Sequence, residues 1–135
     1  MAAQMTTVVD DLIKKFQKMD AEIQQMFVNK TTTLAQFNEN TLVKGELDML
    51  EGEDPAVYKL VGPVLMTVSL EDAKENVGKR VEFIEDEIKK IDKQIADKQG
   101  EQATLGTEIQ TLQAVMQKDA SDAARQAAEE ATQNQ

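Results

Sequence analysis

The sequence predicts a mainly α protein, a long antiparallel coiled-coil helical hairpin with one β-hairpin at its bend. Three observations carry this expectation. Two long stretches repeat apolar residues at heptad spacing, a short apolar run from Val57 to Val68 separates them, and Gly62-Pro63 splits that run in the middle. Two helices folded back through such a bend expose apolar surface that they cannot bury by themselves. That points to a protein that assembles with others, not to an enzyme.

The first helix is expected over about residues 6–51. Val9, Leu12, Phe16, Met19, Ile23 and Met26 hold a heptad frame. The same frame then meets Lys30, Thr33, Asn40 and Lys44, with only Phe37 and Leu47 apolar. Leu34, Leu42, Val43 and Leu50 lie off it, which predicts a phase shift near residue 30. Gly45 weakens the helix by about 1 kcal/mol relative to Ala. Gly52 and Pro55 are the expected stop.

A β-hairpin is expected over about residues 56–68. Gly62 can take positive φ at the turn, and Pro63 occupies a position where no ladder donor is needed. A two-residue turn puts Tyr58 and Leu60 on one face with Leu65 and Thr67. The other face carries Val57, Lys59, Val61, Val64, Met66 and Val68. A lone two-stranded hairpin is marginal in water, and its two edges offer unpaired backbone groups. Tyr58, Leu60, Val61, Val64, Leu65 and Val68 are therefore the candidate subunit-assembly residues, pairing with other hairpins into a closed or nearly closed sheet. The alternative is a hairpin folded down on its own helices.

The second helix is expected over about residues 69–119. Leu70, Val77, Ile84, Ile91, Lys98, Leu105 and Leu112 fill the d positions of one unbroken frame. Lys74, Val81, Ile88, Ile95, Gln102, Ile109 and Met116 fill the a positions. Ser69 with Asp72 approximates a capping box, and Glu71 adds favourable charge to the first turn. Each helix would run for about 45 residues, roughly 65–70 Å. The short bend makes them antiparallel, with residue numbers that face each other summing to about 120. Leu12 then faces Ile109, and Met5 faces Val115 and Met116. The domain is expected to span residues 1–119. The Ala/Gln-rich segment 120–135 has no large apolar residue and is expected to be frayed or disordered.

Composition narrows the function. The chain has 135 residues, 4% aromatic and without Trp, so its core must come from Leu, Ile, Val and Met. A formal charge of −10 disfavours nucleic acid and anionic membranes as partners. There is no Cys and no His, which removes disulfides, the commonest metal ligands and the commonest catalytic nucleophile–base pairs. No cofactor is expected, because the glycines are scattered and form no phosphate-binding loop. No apolar run approaches the roughly 20 residues that span a bilayer. Residues Met1 to Asp10 lack the pattern of a signal peptide, so a cytoplasmic location is expected.

At the bend the residues become specific. Glu39-Asn40, Leu42-Val43-Lys44, Glu46-Leu47 and the run Val57-Tyr58-Lys59-Leu60-Val61-Gly62-Pro63-Val64-Leu65 resemble the β class of the prefoldin family. Val77-Gly78-Lys79-Arg80-Val81, Ile84 and Glu87-Ile88-Lys89 continue the resemblance. It is specific from Glu39 to Lys90, and the outer helices match as generic heptads. One hairpin, where α-class members have two, also fits the β class. The resemblance implies a hexamer of two α-type and four β-type subunits, whose hairpins build a β-barrel platform from which the coiled coils hang. It also implies an ATP-independent co-chaperone that holds non-native proteins such as actin and tubulin and passes them to the cytosolic group II chaperonin. The distal helix sequence departs most from the pattern, so client contacts do not transfer residue by residue.

From the residues themselves, Met5, Val8, Ile13, Val115 and Met116 are the candidate client contacts at the coil tip. Val8, Ile13 and Val115 fall outside the seam, and Met suits a surface that accommodates many partners. Packing within the hairpin is the competing reading. The seam residues Lys30, Thr33, Lys98 and Gln102 either set register or permit splaying of the arms, or mark a locally weak coil with snorkelling lysines, and the last is favoured. Glu82, Glu85, Asp86 and Glu87, interleaved with Lys79, Arg80, Lys89 and Lys90, read as a solvated face rather than a cation site. A scaffold or tether that binds no unfolded client is the rival function. An enzyme using helical carboxylates as acid and base is the remote one.

Overall fold

The computed structural model describes residues 2–50 and 57–134. Its elements, in order, are α1 (Ala2–Asp48), β1 (Val57–Val61), β2 (Val64–Val68) and α2 (Leu70–Gln133). Gly52 and Pro55, the expected helix stop, and Ala56, the expected start of the hairpin, lie outside the described residues. α1 closes its last turn with the Met49 N–H donating to the Gly45 and Glu46 carbonyls, each at 3.2 Å. α2 begins as its sequence predicts. The Ser69 hydroxyl accepts from the Asp72 N–H at 3.1 Å, and Glu71 and Asp72 lie in the first turn.

The chain forms two compact units, Met1–Gln25 with Ile95–Gln135, and Met26–Gln94. In the first, Met19, Leu105 and Ile109 form a buried cluster against which Leu12, Ile13 and Phe16 pack. Leu12 and Ile109 thus meet in one core, as antiparallel helices require. Val9, Ile23 and Ile95 are the best-covered side chains here, each 5% exposed. Among the described residues no large side chain is fully enclosed, because a seam between two helices has no second layer to close over it.

In the second unit Val81 and Ile84 are buried, and Phe37, Leu47, Val77, Ile88 and Ile91 are half-buried. The expected phase shift near residue 30 does not occur. Lys30, Thr33, Phe37, Asn40 and Leu47 keep the original frame and are half-buried, while Leu34, Leu42, Val43 and Leu50 remain exposed. Polar residues can hold the seam because each finds a bond. The Lys30 amine reaches Asp92 at 2.6 Å, the Thr33 hydroxyl donates to the Asn29 carbonyl at 2.9 Å, and the Asn40 amide donates to the Gln36 carbonyl at 2.7 Å.

The segment from Ala120 also departs from expectation, since α2 continues to Gln133. Extending an established helix avoids the nucleation cost, and the segment's Ala, Gln and Glu are good helix formers. Arg125 pairs with Asp122 at 3.4 Å, and the Thr132 hydroxyl donates to the Ala128 carbonyl at 2.8 Å.

Candidate assembly and client surfaces

β1 and β2 form a two-stranded antiparallel sheet. The register pairs Val57 with Val68, Tyr58 with Thr67, Lys59 with Met66, Leu60 with Leu65 and Val61 with Val64. Gly62 has φ of 58°, and the proline ring holds Pro63 at negative φ. Positive φ at the first central residue is the requirement of a II′ turn, whose twist matches that of the flanking strands.

The register puts Tyr58, Leu60 and Leu65 on one face, and all three are exposed, Leu60 by 67% and Leu65 by 64%. Val61, Val64 and Met66, on the opposite face, are also exposed. Val68 differs from the other candidate assembly residues, because it is half-buried beside Val57 at the base of the sheet. The hairpin therefore shows solvent two apolar faces as well as two unpaired edges. Sequence reasoning did not single out Met49 and Phe83, both of which are exposed. Their positions outside the heptad seam were the available signal.

Of the tip candidates, Val8 is 50% and Val115 43% exposed. Met5 and Met116 are half-buried seam residues. Ile13 was expected outside the seam, but it packs on the Met19–Leu105–Ile109 cluster and belongs to the core. The seam is wide enough at this level to cover a flanking position as well as a and d.

Residues 10–119 match the family model described as prefoldin subunit. The chain belongs to the prefoldin subunit family. It is 41% identical over 101 residues to prefoldin subunit 6 of Saccharomyces cerevisiae, an alignment covering 75% of this chain and 88% of that protein. Against prefoldin subunit 6 of Homo sapiens it is 37% identical over 109 residues, covering 76% and 84%. A probable prefoldin subunit 6 of Caenorhabditis briggsae is 33% identical over 120 residues, covering 89% and 93%. The chain is thus a prefoldin chaperone subunit. The family match takes in the hairpin and most of the seam, whereas Met5, Val8 and Val9 precede it. Among the described residues no helix is long and apolar enough to cross a membrane.

Two ion pairs cross this prefoldin seam. Besides Lys30 with Asp92, Lys98 meets Glu22 at 2.7 Å. The bond to Lys98 holds the Glu22 carboxyl below its ordinary range, with partial desolvation opposing and the charges of Lys98 and Lys18 assisting. The same bond raises the Lys98 amine, against desolvation and with help from the charges of Glu22 and Glu101. Gln102 adds a long bond from its side-chain amide to the Phe16 carbonyl at 3.5 Å. Each lysine ends on a carboxylate of the facing helix at the half-exposed edge of the seam, whereas Thr33 bonds only within its own helix. Both pairs lie within about two residues of the facing expected from the bend. On the outer face Glu85 and Glu87 pair with Lys89 and Lys90 along α2. Among the described residues no acidic group is arranged to hold a metal ion.

Proposed function

We propose that this chain is one arm of an ATP-independent prefoldin hexamer in the cytoplasm, joined through its hairpin to two α-type and further β-type subunits. The observation that carries the reading is the hairpin itself. Tyr58, Leu60, Val61, Val64 and Leu65 are exposed on a sheet of only two strands. Pairing its edges with other hairpins satisfies the backbone groups and covers both faces, and the half-buried Val68 anchors the hairpin base.

In this reading the coil tips capture non-native proteins of the actin and tubulin class and deliver them to the cytosolic group II chaperonin. Unfolded chains expose apolar side chains. Weak contacts at several tips add by avidity, without nucleotide hydrolysis. Val8 and Val115 are the exposed contacts, with Met5 and Met116 beside them.

Native mass spectrometry of the chain, alone and mixed with α-type prefoldin subunits, tests assembly. A six-subunit complex forming only in the mixture is expected, and its loss on joint Leu60→Asp and Leu65→Asp substitution. A lone monomer or dimer that ignores the α-type subunits would overturn the reading. Joint Val8→Ser and Val115→Ser substitution should preserve the hexamer and weaken suppression of client aggregation. Unchanged suppression would remove the tip from client capture and favour a scaffold role.

A further inference from the structure

Between Glu22 and Glu39 the sequence of α1 holds one charged residue, Lys30, and that lysine pairs with Asp92 in the seam. The outward face of this stretch therefore carries no charge. Phe27, Thr31 and Leu34 run along it at i, i+4 and i+7, with Val28, Thr32 and Ala35 one position round. Phe27 is 45%, Val28 58% and Leu34 38% exposed. The two threonines add to the apolar character of the face. Their hydroxyls donate to the Phe27 and Val28 carbonyls at 3.0 and 3.3 Å, which leaves the methyl groups to meet solvent. The facing stretch of α2 does the opposite. Eight of the twelve residues from Glu82 to Lys93 are charged, so α2 keeps its hydration while α1 offers a face that is easily dried.

The undescribed segment between Leu50 and Val57 does not reach this face. Leu34 is about 24 Å along the helix from Leu50, and six residues tied at both ends swing out by about 12 Å at most. What the face would seat follows from its size and its neutrality. The open parts of Phe27, Val28 and Leu34 come to on the order of 250 Å², well short of the roughly 800 Å² per partner in a stable interface. Such an area does not hold a neighbouring subunit or a second copy of this chain permanently. Without charge the face rejects no partner by sign, whereas charge patterns are how lasting interfaces choose theirs. A small, apolar surface indifferent to charge is what weak contact with many different chains requires.

We propose that this face of α1 is a second client contact, seating an extended apolar segment of a non-native polypeptide whatever that polypeptide's charge. The inference rests on the client-capture reading above and deepens it by adding a contact part-way along the arm. Two weak contacts on one arm act as linked sites, so that engagement of one raises the occupancy of the other.

Val28→Glu with Thr32→Lys tests the proposal in the assembled hexamer. The pair stands at i, i+4 in the orientation that supports a helix and leaves the net charge unchanged, so stability and assembly should match wild type. Two permanently unfolded probe chains separate apolar contact from charge: reduced and alkylated lysozyme, which is basic, and reduced and alkylated α-lactalbumin, which is acidic. Affinity should fall by about tenfold for both. Wild-type affinity for both, or a fall for one alone, would overturn the proposal. A second measurement locates the contact. Because the chain has no cysteine, Val28→Cys gives this subunit one attachment point for a photo-crosslinker added before assembly. Cross-links to the probe chains are expected, and cross-links confined to prefoldin subunits would overturn the proposal. The Val8→Ser and Val115→Ser variant reports separately on the tip. If that variant captures the probes normally while Val28→Glu with Thr32→Lys does not, the tip assignment fails and this contact stands.

Discussion

The same substitution, glycine to alanine, should act with opposite sign at two positions of this chain. Gly62 has φ of 58°, and a Cβ built on it meets nothing within 4 Å. The cost of Gly62→Ala is therefore backbone strain alone, about 1–3 kcal/mol for an L-residue held at positive φ. The narrower unfolded ensemble of Ala returns part of that, about 0.4–1 kcal/mol. The net is a destabilisation of about 1–2 kcal/mol, or a roughly five- to thirtyfold larger opening equilibrium constant of the hairpin. Gly100 lies inside α2, where its Cβ would also meet nothing within 4 Å. There Ala fits the backbone and should stabilise the helix by about 0.5–1 kcal/mol. Amide hydrogen exchange resolves both effects in one protein. Protection should fall across Val57–Val68 in Gly62→Ala, and rise around residue 100 in Gly100→Ala. Equal protection changes of one sign at both sites would refute the reasoning, because they would mean that Gly62 does not hold positive φ at the turn.

Leu105→Ala removes a side chain 6% exposed in the Met19–Ile109 cluster and should cost about 2–4 kcal/mol. Val115→Ala, at 43% exposure, should cost less than about 0.5 kcal/mol, and urea unfolding followed by circular dichroism would rank them. Ser69→Ala deletes the acceptor for the Asp72 N–H and should cost about 1 kcal/mol, with fraying at the start of α2 seen by exchange. The Glu22–Lys98 pair sets a pH window. The lowered carboxyl contributes stability that is complete above the ordinary glutamate range and is lost as pH falls through its depressed value. The raised amine contributes stability that is complete below the ordinary lysine range and is lost as pH rises through its elevated value. The stability difference between wild type and Glu22→Gln should therefore be flat at neutral pH and shrink in acid. A constant difference down to strongly acidic pH would show that the pair does not form.

Much of this architecture was legible because each signal was local. The II′ turn needs Gly62, the faces of the hairpin follow from a two-residue turn, and Ser69 marks the start of α2. α2 shows its seam plainly, since every a and d position from Leu70 to Met116 is buried or half-buried. α1 was harder for a physical reason. The phase shift expected near residue 30 assumed that Leu34, Leu42 and Val43 would turn toward the partner helix. Instead Lys30 and Asn40 hold the seam through hydrogen bonds and an ion pair, and the apolar residues stay outside. Periodicity cannot tell a residue buried within the chain from one reserved for another surface. Ile13 misled in the opposite direction, because its flanking position is covered by the locally wide cluster. The uncharged face around Val28 was invisible to pattern reading, since Thr31 and Thr32 count as polar until their hydroxyls are found bonded back to the helix.

The two open edges of the hairpin also fix its valence. A sheet of two strands has one bonding edge on β1 and another on β2, so in the proposed assembly this chain would act as a bifunctional unit. Bifunctional units give either chains that grow without limit or rings that end when the last edge meets the first. Affinity alone does not choose between them, since every bond is the same in both. The choice falls to curvature, set by the twist that each hairpin passes to the next. In the proposed assembly Gly62, which sets the turn, would bear on copy number. A turn that twists the strands differently would change how many subunits are needed before the sheet can close.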